Sequence, residues 1–191
     1  MHRIDILQQL NDYQARWTQE SATVQRFIDY ITASADCFHR ELKVGHVTGS
    51  AWLVNRQGTH VLLTHHRKLN RWLQLGGHAD GDSDVLRVAR REVEEESGLV
   101  AIEPIFPHIY DIDVHEIPER IDEPAHNHWD IRYALRATES ESYIVSDESH
   151  DLAWIEITSL TSVTSDESVL RMARKWVALS PIPPVSDARP T

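Results

Sequence analysis

Gly76-Gly77-His78-Ala79-Asp80-Gly81-Asp82-Ser83-Asp84-Val85-Leu86-Arg87-Val88-Ala89-Arg90-Arg91-Glu92-Val93-Glu94-Glu95-Glu96-Ser97-Gly98-Leu99, residues 76–99, is the stretch that decides the fold. A glycine pair leads into a helix. At the helical period Val85, Leu86, Ala89 and Val93 fall within one arc of about 100°, an apolar stripe, and Gly98 is placed to end the helix. The same helix crowds four carboxylates into the five residues Glu92 to Glu96, against its own electrostatics. Glu92, Glu95 and Glu96 share a neighbouring arc of about 100°, whereas Glu94 points to the opposite side. Carboxylates three and four residues apart on one face can share a hard divalent cation such as Mg²⁺, which takes oxygen ligands and relieves the repulsion. The competing reading is a solvated charged face, which leaves unexplained why the acids border the apolar stripe and follow a glycine loop. Asp80, Asp82 and Asp84 begin like a calcium loop, but Val85 stands where its glycine belongs and Arg91 where its last Glu belongs, so that pattern fails.

Working outward, Ile6, Leu10, Tyr13 and Trp17 recur at helical spacing, and so do Val24, Phe27, Ile28, Ile31, Ala35 and Phe38, which predicts two helices ahead of the main domain. From Val47 the pattern shortens to strands. Ser50 to Val54 and Val61 to Thr64 flank a turn at Asn55 to Gly58, and Trp72 to Leu75 forms a further short strand ending on Gly76 and Gly77. Phe106, His108, Tyr110, Ile112 and Val114 alternate, as do Trp129, Ile131, Tyr133 and Leu135, so a long-looped hairpin is expected around Glu116 to His126. After the strand at Ala153 to Ile157, a last helix carries Val169, Leu170, Ala173, Trp176 and Val177. Strands interleaved with helices predict an α/β protein whose mixed sheet is covered by helices.

The stretch from Gly77 to Leu99 resembles the Nudix box, whose pattern is Gly, five residues, Glu, seven residues, then Arg-Glu-apolar-any-Glu-Glu-any-Gly-apolar. Gly77, Arg91, Glu92, Val93, Glu95, Glu96, Gly98 and Leu99 all stand in register. The one departure is Ser83, in place of the first Glu and flanked by Asp82 and Asp84. The resemblance implies a Nudix-type α/β/α sandwich with a mixed β-sheet over residues 44–180, preceded by a helical extension over 1–43 and followed by a loose tail over 181–191. It further implies an enzyme that hydrolyses a pyrophosphate bond in a nucleoside diphosphate linked to another moiety, using Mg²⁺ or Mn²⁺. By the resemblance Glu95 and Glu96 are metal ligands, Glu92 is a ligand or base, Arg91 orients the glutamates by ion pairing, and the carbonyl of Gly76 adds a ligand. Arg91, Glu92 and Glu95 are the catalytic expectation. Glu148 resembles the acidic residue that supplies a distal ligand or base in relatives, with Asp147 and Glu141 as alternatives. Glu92, Glu95 and Glu96 would lower the cost of a strongly anionic substrate by way of the cation they hold.

Arg67, Lys68 and Arg71 form a local basic cluster between a strand and the glycine pair, and Arg67 is expected to meet phosphate oxygens. Of the 12 histidines, His128 lies on the strand that would flank the metal face and is expected to contact substrate. The pair His126 and His128 shares a strand face, but no third ligand is fixed by spacing, so the histidines are read as substrate contacts or surface groups and not as a zinc site. Composition bounds the rest. With 41% hydrophobic and 26% charged residues the chain forms a core, and 19 basic against 30 acidic side chains give a formal charge of −11 that repels nucleic acid and anionic membranes. The expected partner is a small phosphorylated molecule, with neither nucleic acid nor membrane involved, and a homodimer is compatible with the reading. No apolar run has the roughly 20 residues of a membrane span, and a single cysteine, Cys37, suits a reducing compartment, so the cytoplasm is expected. Two alternatives stand beside the hydrolase: a catalytically silent Nudix-fold module that binds a nucleotide or protein, supported by Ser83 alone, and an enzyme like isopentenyl-diphosphate isomerase, which needs a reactive cysteine near its substrate.

Overall fold

The fold follows from how the chain ends its helices and turns its strands. The computed structural model describes residues 3–67, 70–119, 124–145 and 149–179. Among them the elements run α1 (Ile4–Arg16), α2 (Ser21–Ala33), β1 (Gly45–Val54), β2 (His60–His66), β3 (Arg71–Leu73), β4 (Leu75–His78), α3 (Val85–Ser97), β5 (Ile102–Pro104), β6 (Asp111–Ile117), β7 (His126–Ala137), β8 (Ser149–Glu156) and α4 (Glu167–Leu179). No helix among the described residues is long and apolar enough to cross a membrane. Helix α3 starts where its sequence supplies a cap: the Asp84 carboxylate accepts the Arg87 N–H at 3.1 Å, satisfying a donor the first turn leaves unpaired. It stops at Gly98, whose φ of 73° suits a residue without Cβ and whose N–H donates to the Glu94 carbonyl at 2.9 Å.

The chain divides into two compact units. The first comprises residues 1–51, 76–92 and 106–133. Here β6 and β7 pair antiparallel, with Asp111 opposite Arg132, Asp113 opposite Asp130 and His115 opposite His128. Side chains two apart on a strand share a face, so this sheet has an apolar and a polar side. On the apolar side Trp129 stacks on Tyr30 of α2 at 4.3 Å and meets Phe27 edge-on at 5.2 Å. A Cβ at Gly49 of β1 would lie 2.8 Å from Val88 and 3.0 Å from Val85, so its absence lets α3 settle on the strand. The two N-terminal helices belong to this unit: Arg16 donates to the Ile109 carbonyl, the Tyr30 hydroxyl to the Gly45 carbonyl, and the Tyr133 hydroxyl to Gln9.

The polar side holds Arg132, 1% exposed, inside three carboxylates. Its Nε donates to Asp130 at 2.7 Å, and its other nitrogens reach Asp111 at 3.1 Å and Asp113 at 3.4 Å. The second oxygen of Asp130 accepts the hydroxyls of Thr48 at 2.9 Å and Ser50 at 2.7 Å. Burial, the largest influence, works against the guanidinium charge, but the three carboxylates outweigh it and hold the Arg132 pKa above its ordinary value.

The second unit comprises residues 52–75, 93–105 and 134–191. Its β2 lies antiparallel between β3 and β8, from His60 opposite Glu156 to His66 opposite Ser149. The turn expected at Asn55 to Gly58 is present: the Asn55 side chain accepts the N–H groups of Thr59 and His60, and Gly58 takes a φ of 73°. Helix α4 docks through Trp176, whose indole N–H donates to the Gly58 carbonyl at 2.9 Å.

Several boundaries differ from the sequence expectation. Trp17 caps α1 in a non-helical conformation, and Phe38 lies beyond the end of α2. Val88 is buried in the α3 stripe while Leu86 is half-buried, and in α4 Met172 is buried whereas Val177 is 60% exposed. The strand expected from Phe106 starts at Asp111, and the span Trp72 to Gly77 breaks into β3 and β4.

Removing one partner of a buried ionic cluster strands the others. Arg132→Leu is therefore expected to lose about 3–5 kcal/mol of stability in urea denaturation. A loss below about 1 kcal/mol would mean that the cluster does not hold the sheet.

Candidate active site

The site grows from the turn between β4 and α3. A Cβ at Gly76 would lie 2.2 Å from the Ser50 Oγ and 2.7 Å from the Ser50 Cα, so β4 can run this close to β1 only with glycine there. A Cβ at Gly77 would lie 2.4 Å from the Glu92 Oε2, so the second glycine leaves the space that the Glu92 carboxylate fills. Arg91 ties strand and helix together: its Nη2 donates to the His78 carbonyl at 2.7 Å and to Glu92 Oε1 at 2.8 Å. Arg91, Glu92, Gly77 and His78 are thus one cluster, with the Glu92 side chain only 14% exposed.

Helix α3 carries Glu95 and Glu96 on into the second unit, two and one residues short of Ser97 at its end. Glu96 is half-buried, whereas Glu95 and Glu94 are exposed. Exposure alone therefore does not separate Glu94 from Glu95; helical phase does. Carboxylate and carbonyl oxygens are hard donors, which suit Mg²⁺ or Mn²⁺ and suit soft metals poorly.

The three aspartates before the helix are already engaged. Asp80 pairs with Arg40, Asp82 accepts the Arg87 Nε at 2.7 Å and Nη2 at 2.6 Å, and Asp84 caps the helix. The hydrogen bond from Arg87 holds the Asp82 carboxyl below its ordinary range. Both acids that flank Ser83 thus contact Arg87 at the start of the helix.

Arg67 is an exposed turn residue after β2, in the second unit. Lys68, Asp147 and Glu148 lie outside the described residues, as does the tail over 181–191. Glu141 has structural contacts: its carboxylate accepts the Arg56 N–H at 3.1 Å and its carbonyl the Trp154 indole N–H at 2.8 Å. Cys37 is fully buried, and burial pushes its thiol pKa up to about 11, the opposite of a reactive thiolate. This removes the chemical basis for an isomerase of the isopentenyl-diphosphate type.

His128 belongs to a group the sequence did not disclose. His46 of β1, His78 of β4 and His128 of β7 each offer a ring nitrogen, and these nitrogens lie within 4.8 Å of one another. Ring centroids are 4.9 Å apart for His46 and His78, 4.8 Å for His46 and His128, and 5.2 Å for His78 and His128. His126 and His115 flank His128 at 5.2 and 5.3 Å. The signal was present in part, since His46, Thr48 and Ser50 alternate on β1 as His128, Asp130 and Arg132 do on β7.

Burial first, then His115, His46, His78 and His126, push the His128 pKa down to about 2. That lies below the value near 6.5 of an exposed imidazole, so between those limits the unfolded chain binds the extra proton. Stability should fall as pH falls from about 6.5, by at most about 1.4 kcal/mol per pH unit for this group. Urea denaturation of the chelator-treated protein at pH 7 and pH 5 measures the slope. His128→Gln should flatten it, and equal slopes in both proteins would contradict the assignment.

Comparison with known proteins bears on the family and the fold. Residues 45–177 match the family model described as NUDIX domain. No curated protein matches the chain. A crystal structure of a NUDIX family hydrolase from Clostridium perfringens aligns at 24% identity and a TM-score of 0.54, covering 71% of this chain and 98% of that one. A C. elegans Ap4A hydrolase in a binary complex aligns at 15% identity and a TM-score of 0.56, covering 69% and 95%. The E. coli dihydroneopterin triphosphate pyrophosphohydrolase aligns at 14% identity and a TM-score of 0.52, covering 70% and 96%.

Proposed function

The chain belongs to the Nudix family and has its α/β/α fold with a mixed sheet behind two short helices, and on that premise we propose that it hydrolyses a phosphoanhydride bond in a nucleoside diphosphate linked to a second moiety. The observation that carries the reading is the Arg91–Glu92 pair seated over Gly77, with Glu95 and Glu96 following on the same helical arc. The Ap4A hydrolase and the triphosphate pyrophosphohydrolase among the similar structures are named for reactions of the same class.

In this reading Glu92, Glu95, Glu96 and the Gly76 carbonyl hold Mg²⁺ or Mn²⁺. When bound, such an ion neutralises pyrophosphate charge and lowers the pKa of a coordinated water. Arg91 fixes the Glu92 carboxylate between helix and strand, so that this group need not reorganise as charge develops at phosphorus. Glu92 also serves as the group that accepts a proton from the attacking water. Water oxygen bonds to phosphorus, the bridging P–O bond breaks, and the leaving phosphate carries away the bonding pair. Arg67 is assigned to the substrate and Glu148 to a distal ligand position, with the catalytic domain taken as residues 44–180 and the helices before it as an extension. A small phosphorylated molecule, and no nucleic acid, is the partner this chemistry requires.

The test is turnover of a panel of nucleoside diphosphate derivatives with Mg²⁺ or Mn²⁺, scored by phosphate-containing products. Glu96→Gln and Glu95→Gln should lower the rate by about 10²-fold or more, since a ligand charge is lost while size is kept. Glu94→Gln should change it by less than about threefold because its azimuth lies opposite. Ser83→Glu should raise it, by adding a carboxylate that can support the ligand cluster. Near-native rates in both Glu95→Gln and Glu96→Gln would sink the assignment. Absence of turnover by wild type and Ser83→Glu alike, with metal and nucleotide still bound, would favour the silent binding module.

A further inference from the structure

We propose that His46, His78 and His128 form a second metal site, for a zinc-class ion, chemically distinct from the carboxylate face of α3. The three imidazoles come from three strands of the first unit, and their candidate ligand nitrogens lie within 4.8 Å of one another. Zinc bonds imidazole nitrogen at about 2.0–2.1 Å, which in a tetrahedral shell places two ligand nitrogens about 3.3 Å apart. The widest spacing therefore has to close by about 1.5 Å, within reach of small ring rotations with the strands left in place.

The strands are well fixed. β4 is held to β1 by the Ala79 N–H on the Val47 carbonyl at 3.3 Å, and the His78 carbonyl is held by Arg91 at 2.7 Å. On β7, the His126 Nδ1 lies 2.9 Å from the Pro124 carbonyl, which can only accept, so His126 carries its proton there and acts as an oriented neighbour of the site. His46 is 1% exposed, which shields the site from bulk water.

Charge favours a cation at the same face. Asp111, Asp113 and Asp130 formally exceed the single charge of Arg132 by two, and Asp113 and Asp130 occupy the strand positions next to His115 and His128. A divalent ion restores neutrality. Imidazole donors select zinc-class metals whereas an all-oxygen set selects Mg²⁺ or Mn²⁺, so the two sites would not compete for one ion. Three protein ligands leave a fourth position for water or an anionic oxygen, the arrangement of reactive and not purely structural zinc. This inference does not depend on the reading of the acidic helix.

The experiment uses the full chain stripped of metal by chelator and titrated with Co²⁺ or Zn²⁺ in the presence of excess Mg²⁺. Wild type should bind one equivalent and show the intense visible absorption of tetrahedral Co²⁺. His78→Asn and His128→Asn should weaken binding by at least about tenfold, and Glu92→Gln and Glu96→Gln by less than about threefold. X-ray absorption of zinc-loaded wild type should count three imidazole nitrogens at about 2.0–2.1 Å, a readout that stands even if a histidine variant fails to fold. An oxygen-only shell, absence of binding, or affinity unchanged in folded His78→Asn would overturn the proposal. So would a histidine variant that alters only substrate KM.

Discussion

The site depends on three close approaches made at glycine. Gly49 lets α3 lie on β1, Gly76 lets β4 run against Ser50, and Gly77 leaves room for the Glu92 carboxylate. A methyl group at any of the three would meet an atom at 2.2–2.8 Å, well inside van der Waals contact. At Gly76 the neighbour includes backbone, which cannot give way, whereas at Gly77 it is the end of a side chain. The first glycine therefore governs whether the strand forms and the second where a carboxylate sits. With those distances set, Arg91 can reach the His78 carbonyl and Glu92 at once, and the acidic arc of α3 acquires a fixed origin.

The first unit separates its chemistry by strand face. One face is apolar and receives Tyr30, Phe27, Val85 and Val88. The other is polar and divides along the strands into an ionic part around Arg132 and an imidazole part around His46 and His128. Buried charge is tolerated only when it is paired and hydrogen-bonded, and Asp130 meets that condition by serving Arg132 with one oxygen and two hydroxyls with the other. The result is two donor sets of different hardness in one unit: Glu92 over Gly77, and the imidazoles.

Local rules made the box helix legible. The Asp84 cap, the Gly98 stop and the phase of Glu92 against Glu94 need only neighbours within one or two turns. Longer-range features were not legible. Val88 replaced Leu86 in the buried stripe because the surface α3 meets is Gly49 and its surroundings, which helical period alone cannot supply. Three-residue β5 exists through its pairing with Ala137, Arg136 and Leu135 and has too little pattern to be seen. The polar set on β1, β6 and β7 has the period that ordinarily marks a solvated face, so the burial of His46, Asp130 and Arg132 could come only from the structure. His46 and His78 lie 32 positions apart in the chain, a spacing that no short metal motif covers.

Mn²⁺ binding followed by electron paramagnetic resonance addresses the glycine constraint directly, because the ion reports the carboxylate face without turnover. Wild type should bind Mn²⁺ in competition with Mg²⁺, and Gly77→Ala, which pushes on the Glu92 carboxylate, should weaken it by about tenfold or more while the fold survives. Affinity for Mn²⁺ equal in wild type and a folded Gly77→Ala protein would contradict the proposed placement of the ion at Glu92.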